Sequence, residues 1–202
     1  MLGLVFTTTD EAVSFVGPYT DSRPDRLDEQ TPLRIDDLLI TATGQGKIKA
    51  TLATERLLRD HDLDAVLHVG ICTALDEDLS PGTVVGASFV LEGDRVELDA
   101  PTYPRMPLEC PFDVDTEGTL VSQDHVTNDS EEQSYWERIA DVRDETGYAV
   151  AYVSAQYGTP CHIVKTVRDQ EESNAQNTDE DALHAIASFL EEAVAERTTP
   201  KK

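Results

Sequence analysis

Lysine is scarce in this sequence. Only Lys47, Lys49 and Lys165 precede the pair Lys201 and Lys202, and 40 acidic side chains face 16 basic ones, giving a formal charge of −24. A surface of this sign repels nucleic acid and anionic membranes, so we expect neither as a partner. The acidic residues are spread along the chain, which predicts a halophilic protein, because repulsion between exposed charges is screened within about 3 Å in 1 M salt.

Long apolar runs are absent as well. No stretch approaches the roughly 18 residues that a transmembrane helix requires. The N-terminus, MLGLVFTTTDE, has no basic segment and soon becomes acidic, so it does not resemble a signal peptide and is better interpreted as a first buried strand. From these features we expect a cytoplasmic protein.

The chain also contains few cysteines. Cys72, Cys110 and Cys161 lie far apart, and the sequence has neither a C-x-x-C nor an H-x-x-x-H pair. These spacings argue against a zinc site, and an odd number of cysteines argues against a disulfide framework. We predict free thiols and no bound metal or cofactor.

What the chain does have is an alternation of apolar strands and amphipathic helices, typical of one α/β domain with a mixed sheet. The length suits a single domain, which we place at residues 1–197, followed by a short polar tail at 198–202. The buried face of the helix at 47–60 is assigned to Ile48, Leu52 and Leu58. Strands are predicted at 2–6, 33–43, 65–69, 83–91, 95–98, 119–127 and 161–167, and helices at 10–16, 47–60, 130–139, 145–157 and from 178 onward.

Two glycine turns flank the helix at 47–60. Gly44 and Gly46 follow the strand that ends near Thr43, and Gly70 follows a buried strand that we expect to end at Val69. Ligands of open α/β sheets bind at the C-terminal ends of strands. Glycines allow close approach of the backbone, and amides at a helix start can hold an anion or a ribose hydroxyl.

The order of these motifs resembles the nucleoside phosphorylase/nucleosidase family, whose members cleave the bond between a purine and its ribose. The resemblance rests on GQGKIKA at 44–50, GICTAL at 70–75 and Pro81-Gly82, and it covers roughly residues 38–169. It implies a phosphorylase/hydrolase-like three-layer fold with a central mixed β-sheet flanked by helices. It also implies a homodimer or higher homo-oligomer.

The resemblance assigns roles to several acidic residues. Glu145 matches the glutamate that accepts hydrogen bonds from the ribose 2′- and 3′-hydroxyls, with Asp144 as the alternative match, although methionine is usual there. Asp169 matches the aspartate that protonates purine N7. In a nucleosidase, Glu11 or Asp10 would activate the attacking water.

Other positions bear on the substrate pocket. Family members often have an arginine at the position of His68, a serine at Ile71, a glycine at Thr73 and a serine at Arg168. A neutral histidine is a poor substitute for an arginine that grips phosphate, so His68 is either a core histidine or a ligand contact. Val126 would line the pocket for the base.

The leading prediction is hydrolysis of the N-glycosidic bond of a purine nucleoside. A carboxylate-rich pocket suits the cationic ribosyl group of the transition state. The segment TTTDEAV at 7–13 lacks the glycine and arginine that a phosphorylase would have there, which favours water over phosphate. Two alternatives are a phosphorylase that uses phosphate as co-substrate and a catalytically silent nucleoside-binding protein.

Overall fold

A computed structural model of the chain describes residues 1–17, 28–94, 104–125, 129–168 and 178–195. The predicted strand at 95–98 and tail at 198–202, together with Val126 and Asp169, lie outside these residues. In chain order the elements are β1 (Leu2–Phe6), α1 (Thr9–Val16), β2 (Leu33–Ile35), β3 (Leu38–Ala42), α2 (Lys47–Asp60), β4 (Ala65–Ala74), β5 (Val84–Glu92), β6 (Arg105–Pro107), β7 (Thr116–Ser122), α3 (Ser130–Trp136), β8 (Val142–Asp144), α4 (Gly147–Tyr157), β9 (Cys161–Arg168) and α5 (Thr178–Ala193).

The strands form one mixed sheet in the order β2-β3-β1-β4-β8-β7-β5-β6, with β9 paired to β4 and β5. β1 lies parallel to both β3 and β4, and β4 is also parallel to β9. β8 runs antiparallel to the end of β4 and parallel to β7. This arrangement brings the C-terminal ends of β1, β4 and β9 to the same edge of the sheet.

Helices cover both faces of the sheet. Leu4 of β1 packs in one apolar cluster with Phe15 of α1 and Ile186 of α5, while Val5 packs in another with Leu57 of α2 and side chains of α4. Successive residues of a strand point to opposite faces, so a strand between two helical layers is apolar throughout. The three-layer α/β fold predicted from the sequence is confirmed, and no described helix is long and apolar enough to cross a membrane.

The strand predicted at 33–43 is two strands. β2 and β3 pair antiparallel with each other, joined by a turn at Asp36 and Asp37. Asp36 has a φ of +48°, a left-handed conformation that aspartate tolerates better than most residues. The prediction of one continuous strand was wrong because a two-residue turn was hidden among apolar neighbours.

The second predicted glycine turn is not a turn. β4 continues through Gly70 to Ala74, since β9 pairs with it as far as Thr73 and β8 pairs with Thr73 and Ala74. Pairing with β8 and β9, which lie far along the chain, therefore extends β4 beyond the glycine at which the local sequence pattern predicts its end.

The buried face of α2 was partly mispredicted. Leu58 is buried, but Ile48 is 78% exposed and Leu52 is 46% exposed. The helix instead packs through Ala50, Ala53, Thr54, Leu57 and Leu58. Alanines at the contact let α2 approach the neighbouring layer closely, which leaves two larger apolar residues on the outside.

Three boundaries near the site also differ from prediction. Residues 142–144 form the unpredicted strand β8, so α4 begins at Gly147 rather than at Glu145. β7 spans Thr116–Ser122 instead of 119–127, and α3 ends at Trp136 rather than at Ile139. The short strand β8 is formed by pairing with β4 and β7, which a local pattern does not reveal.

Candidate active site

A cavity of about 290 Å³ lies at the C-terminal ends of the central strands. Its walls come from residues at or just past the C-terminal ends of β1, β3, β4, β7, β8 and β9, from the first turn of α1 and from Leu183 of α5. This is the edge at which open α/β sheets bind ligands. Among the predicted site residues, the cavity brings together Asp10, Glu11, Ile71, Asp144 and Glu145.

Glu11 is fixed in this cavity by backbone donors. Its Oε2 accepts hydrogen bonds from the amides of Thr7, at 3.0 Å, and Thr8, at 2.8 Å, and its Oε1 accepts one from Ile71 at 2.9 Å. The Thr8 hydroxyl in turn caps the Glu11 amide, so the segment forms a capping box at the start of α1. A carboxylate has about four acceptor positions, and these bonds leave about one for a water molecule.

Gly70 makes room for this carboxylate. A Cβ at position 70 would lie 2.7 Å from Oε1 of Glu11, and Gly70 has a φ of +148°. A side chain here would both strain the backbone and push Glu11 off the Ile71 amide. The glycine predicted to approach a ligand instead lets β4 approach a site carboxylate.

Asp144 is held in a buried network. Its carboxylate accepts from Ser122 Oγ at 2.6 Å and from the Gly147 amide at 2.9 Å, and it pairs with Lys165 Nζ at 3.0 Å. Burial alone would raise the pKa of Asp144, but the charge of Lys165 and the hydrogen bond from Ser122 outweigh it and hold the pKa below its usual range. The Asp144 carboxylate is therefore ionised and bound by protein groups in the interior.

His68 belongs to the same network. Its Nδ1 lies 2.8 Å from the carbonyl oxygen of Val5, which can only accept, so Nδ1 carries the proton. Its Nε2 accepts a hydrogen bond from Lys165 Nζ at 2.9 Å, and the Thr146 hydroxyl oxygen lies 3.0 Å from the same nitrogen. Burial, followed by the charge of Lys165, lowers the pKa of His68 and favours the neutral ring. The structure thus places His68 in the core with both ring nitrogens hydrogen-bonded.

Glu145 differs from its neighbour. It lies just past the end of β8, exposed at the cavity, and its side chain has no hydrogen-bond or ion-pair partner among the described residues. Partial burial raises the pKa of Glu145, and the charges of Asp144 and Asp124 add to this, whereas Arg168 opposes it. Of the two adjacent acids, Glu145 is the one free to accept hydrogen bonds from a ligand.

The first glycine turn is occupied by protein groups. Gly44, with a φ of +83°, donates its amide hydrogen to the Thr7 carbonyl at 2.8 Å. Beyond Gly46, the amide of Lys47 donates to Asp124 Oδ1 at 2.8 Å. Here the sequence predicts an anion or a ribose hydroxyl, whereas in the structure a carboxylate from the loop after β7 caps α2.

Sequence reasoning missed two basic residues of the site. Lys165, an isolated lysine in an apolar strand, is 1% exposed and pairs with Asp144. Arg143 lines the cavity from β8, although it is only 8% exposed. The rarity of lysine in this chain made Lys165 a usable signal, whereas no local pattern distinguished Arg143. No group of three or more histidine, cysteine or acidic residues able to hold a metal occurs within the described ranges.

The cysteines lie free in the structure, as predicted. Cys72 is buried in β4, and Cys110 and Cys161 are partly buried. Burial raises the pKa of the Cys72 and Cys161 thiols to about 12, so both are protonated at neutral pH. Although Cys72 lines the cavity, its protonated thiol does not supply a nucleophile.

The chain is similar to several known proteins. Residues 34–119 match the model of the phosphorylase superfamily. An aminodeoxyfutalosine nucleosidase of Helicobacter pylori is 23% identical over 188 residues, which cover 79% of this chain and 81% of that protein.

Solved structures show the same fold. A 5′-methylthioadenosine/S-adenosyl homocysteine nucleosidase of Helicobacter pylori has a TM-score of 0.78 at 18% identity, covering 96% of this chain and 97% of that one. The corresponding nucleosidase of Campylobacter jejuni also has a TM-score of 0.78, at 15% identity, covering 96% and 98%. The family match and the shared fold agree with the order of motifs along the sequence. Residues 34–119 thus resemble the phosphorylase superfamily, and the chain as a whole shares the fold of these nucleosidases.

Proposed function

We propose that this protein is a nucleosidase that hydrolyses the N-glycosidic bond of a purine nucleoside. The observation that carries the proposal is the position of Glu11 in the cavity. Backbone amides bind the Glu11 carboxylate at three acceptor positions, which leaves about one acceptor position for water. The relatives named above as nucleosidases support the same reaction.

Glu11 acts as the general base in this proposal. A carboxylate that is held rigidly beside the substrate can accept a proton from water as the water attacks the anomeric carbon. Asp10 also lines the cavity, but it is exposed and has no comparable set of amide donors in the described structure. We therefore assign water activation to Glu11 rather than to Asp10.

Glu145 binds the ribose. Its carboxylate, which has no partner within the described ranges, can accept hydrogen bonds from both vicinal hydroxyls, whereas Asp144 is occupied by Ser122, Gly147 and Lys165. The negative charges of Glu11 and Glu145 also stabilise positive charge that develops on the ribosyl group as the bond to the base breaks. Ile71 completes the sugar side of the pocket.

The general acid remains Asp169 in our proposal. It directly follows Arg168, the last residue of β9 and part of the cavity wall. Protonation of purine N7 turns the base into a neutral leaving group, and such acid catalysis contributes about 10²–10⁴-fold. Val126 is proposed to contact the base.

Water is a better candidate than phosphate as the acceptor. His68 is buried, with both ring nitrogens used, and so does not present a donor to phosphate. The amide of Lys47 at the start of α2 is bound by Asp124, whose negative charge disfavours an anion there. We expect no cofactor, with phosphate as a co-substrate only in the alternative phosphorylase mechanism.

The Glu11→Gln variant tests the proposal. Glutamine keeps nearly the same size but cannot take a proton from water, so we expect kcat for nucleoside hydrolysis to fall by about 10²–10⁴-fold. The matched control is Glu117→Gln, which makes the same change at an exposed position on β7 outside the cavity. Full activity in Glu11→Gln would contradict the assignment, and a wild-type protein that binds nucleosides without cleaving them would support the silent binding protein.

We further propose a cytoplasmic homodimer or higher homo-oligomer. Free thiols fit a reducing compartment. Ile48 and Leu52 of α2 and Tyr152 of α4 are large, exposed apolar side chains on two helices that pack together, which suits contact with a second copy. Light scattering coupled to gel filtration measures the assembly, and a mass equal to one chain at all concentrations would contradict it.

A further inference from the structure

Two arginines lie opposite the same residue of the central strand. In the register of the sheet, Thr73 of β4 pairs with Arg143 of β8 on one side and with Arg168 of β9 on the other. Paired residues on neighbouring strands present their side chains to the same face, and neighbouring strands lie about 4.8 Å apart. Arg143, Thr73 and Arg168 therefore form a row, with the arginine Cα atoms roughly 10 Å apart.

Neither guanidinium is neutralised by a described neighbour. Nε and Nη2 of Arg143 are buried without a hydrogen-bond partner, and the residue is only 8% exposed. Arg168 likewise has no side-chain hydrogen bond or ion pair within the described parts of the chain. A buried charge without a partner is costly, and two cations in one row add to this cost. The chain has 16 basic residues against 40 acidic ones, so acidic partners are plentiful. Two arginines that lie side by side without such a partner therefore indicate a bound anion.

The row separates two cavities. Thr73, Arg143 and Arg168 line both the active-site cavity and a second cavity of about 420 Å³ beside the segment that follows β4. Donors on this shared wall can contact a group that extends from one cavity towards the other. The Glu11 and Glu145 carboxylates lie in the first cavity, so its walls offer acceptors for a sugar and donors for an anion.

Acidic residues of the second cavity do not satisfy the arginines. Asp76, Glu77 and Glu137 line it, yet none lies within 4.0 Å of either guanidinium. Glu137 and Glu132 act on Arg143 only at longer range: burial lowers the pKa of Arg143, and these two charges partly oppose the change. The carboxylates would repel an anion deep in the second cavity, which confines it to the shared wall.

We propose that Arg143 and Arg168, with the Thr73 hydroxyl between them, bind a carboxylate or phosphate group carried by the nucleoside substrate. Guanidinium groups present paired donors that match the oxygens of both groups. This inference rests on the proposed function for the identity of the substrate, but binding of the anionic group is measurable without catalysis. The preferred substrate is thus a nucleoside with a negatively charged substituent.

Calorimetric binding tests the inference directly. The probes are adenosine, adenosine 5′-monophosphate, adenosine with a 5′-carboxylate and adenosine with a carboxymethyl group on N6, all at one salt concentration. We expect at least one anionic derivative to bind about 10- to 100-fold more tightly than adenosine, as charge-assisted hydrogen bonds allow. If no derivative binds more tightly than adenosine, the inference is wrong.

Two arginine variants test whether the preference for an anionic derivative depends on this row. Arg143→Gln and Arg168→Gln should each remove most of the preference for the anionic derivative. Arg168 is exposed, so its replacement tests the site even if Arg143→Gln does not fold. The control, Arg105→Gln, removes an exposed arginine of β6 that lies over the Phe89 ring and lines neither cavity, and it should keep the preference. A preference that survives both site variants would overturn the assignment.

Inorganic phosphate distinguishes the source of the anion. If phosphate alone binds in an Arg143-dependent way and ribose 1-phosphate is formed, the row serves the attacking group and the substituent assignment is wrong. Preference for an anionic derivative without cleavage of any probe would support the row and refute the nucleosidase. Cleavage of adenosine without any preference for an anionic derivative would support the nucleosidase and refute the anion-binding row.

Discussion

At the scale of single residues, the position of one carboxylate is determined by main-chain atoms. Glu11 is held by amides from its own turn and by Ile71, 60 residues further along the chain. Gly70 permits the approach that makes the last bond possible. The proposed general base is therefore fixed by backbone geometry rather than by other charged side chains.

Replacing Gly70 with alanine should impair catalysis. The new Cβ would lie 2.7 Å from Glu11 Oε1 if nothing moved, so we expect the carboxylate to shift. Misplacement of a catalytic group by about 1 Å can cost about 10²-fold, and we expect kcat to fall about 10- to 100-fold. The control is Gly17→Ala, since Gly17 has helical geometry and no atom near its Cβ position. Equal kcat values in Gly70→Ala and wild type would argue against this role.

The buried pair of Asp144 and Lys165 stabilises the fold. Lys165→Met would leave Asp144 ionised in the interior without its cation, although Ser122 and Gly147 still donate to it. Breaking a buried pair from one side costs about 3–5 kcal/mol, and we expect the free energy of unfolding to fall by that amount. Chemical denaturation measures it. The double variant Lys165→Met, Asp144→Asn should recover part of the lost free energy of unfolding. If it recovers none, the broken ion pair is not the cause of the destabilisation.

At the scale of elements, distant partners decide what local sequence leaves open. Apolar runs identified β1 and β9 because these strands are buried on both faces. The extension of β4 past Gly70 depends on its pairing with β8 and β9, and β8 exists because it pairs with β4 and β7; the periodicity of a local segment does not reveal such pairing. The same pairing separates Asp144, which joins the internal network, from Glu145, which follows the strand and faces the cavity. The resemblance favoured Glu145 as the ribose-binding acid and kept Asp144 as the alternative, because a local pattern does not show which of the two joins the internal network.

The start of α2 offers a test at this scale. Asp124 caps the Lys47 amide from another part of the chain, so Asp124→Ala should remove a helix cap. Such losses cost about 0.5–2 kcal/mol in the free energy of unfolding. Asp113→Ala, at an exposed position without a described side-chain partner, provides the matched control. If both variants unfold at the same denaturant concentration as wild type, the capping bond contributes nothing measurable.

At the scale of the whole molecule, the charge of −24 should make stability depend on salt. Repulsion between exposed carboxylates opposes the compact state, and about 1 M salt screens it within about 3 Å. We expect the thermal midpoint to rise steadily from low salt to multimolar KCl. Equal midpoints at both extremes would contradict the proposal of a halophilic protein.

In our proposal, the protein hydrolyses nucleosides at the cavity where the central strands end. The most direct test follows the products formed by the wild-type protein from adenosine, inosine, methylthioadenosine and futalosine, with and without phosphate, in multimolar KCl. We expect release of free base and of a sugar with a free anomeric hydroxyl, at a rate that does not depend on phosphate. Formation of ribose 1-phosphate only when phosphate is present, or binding without any cleavage, would contradict it.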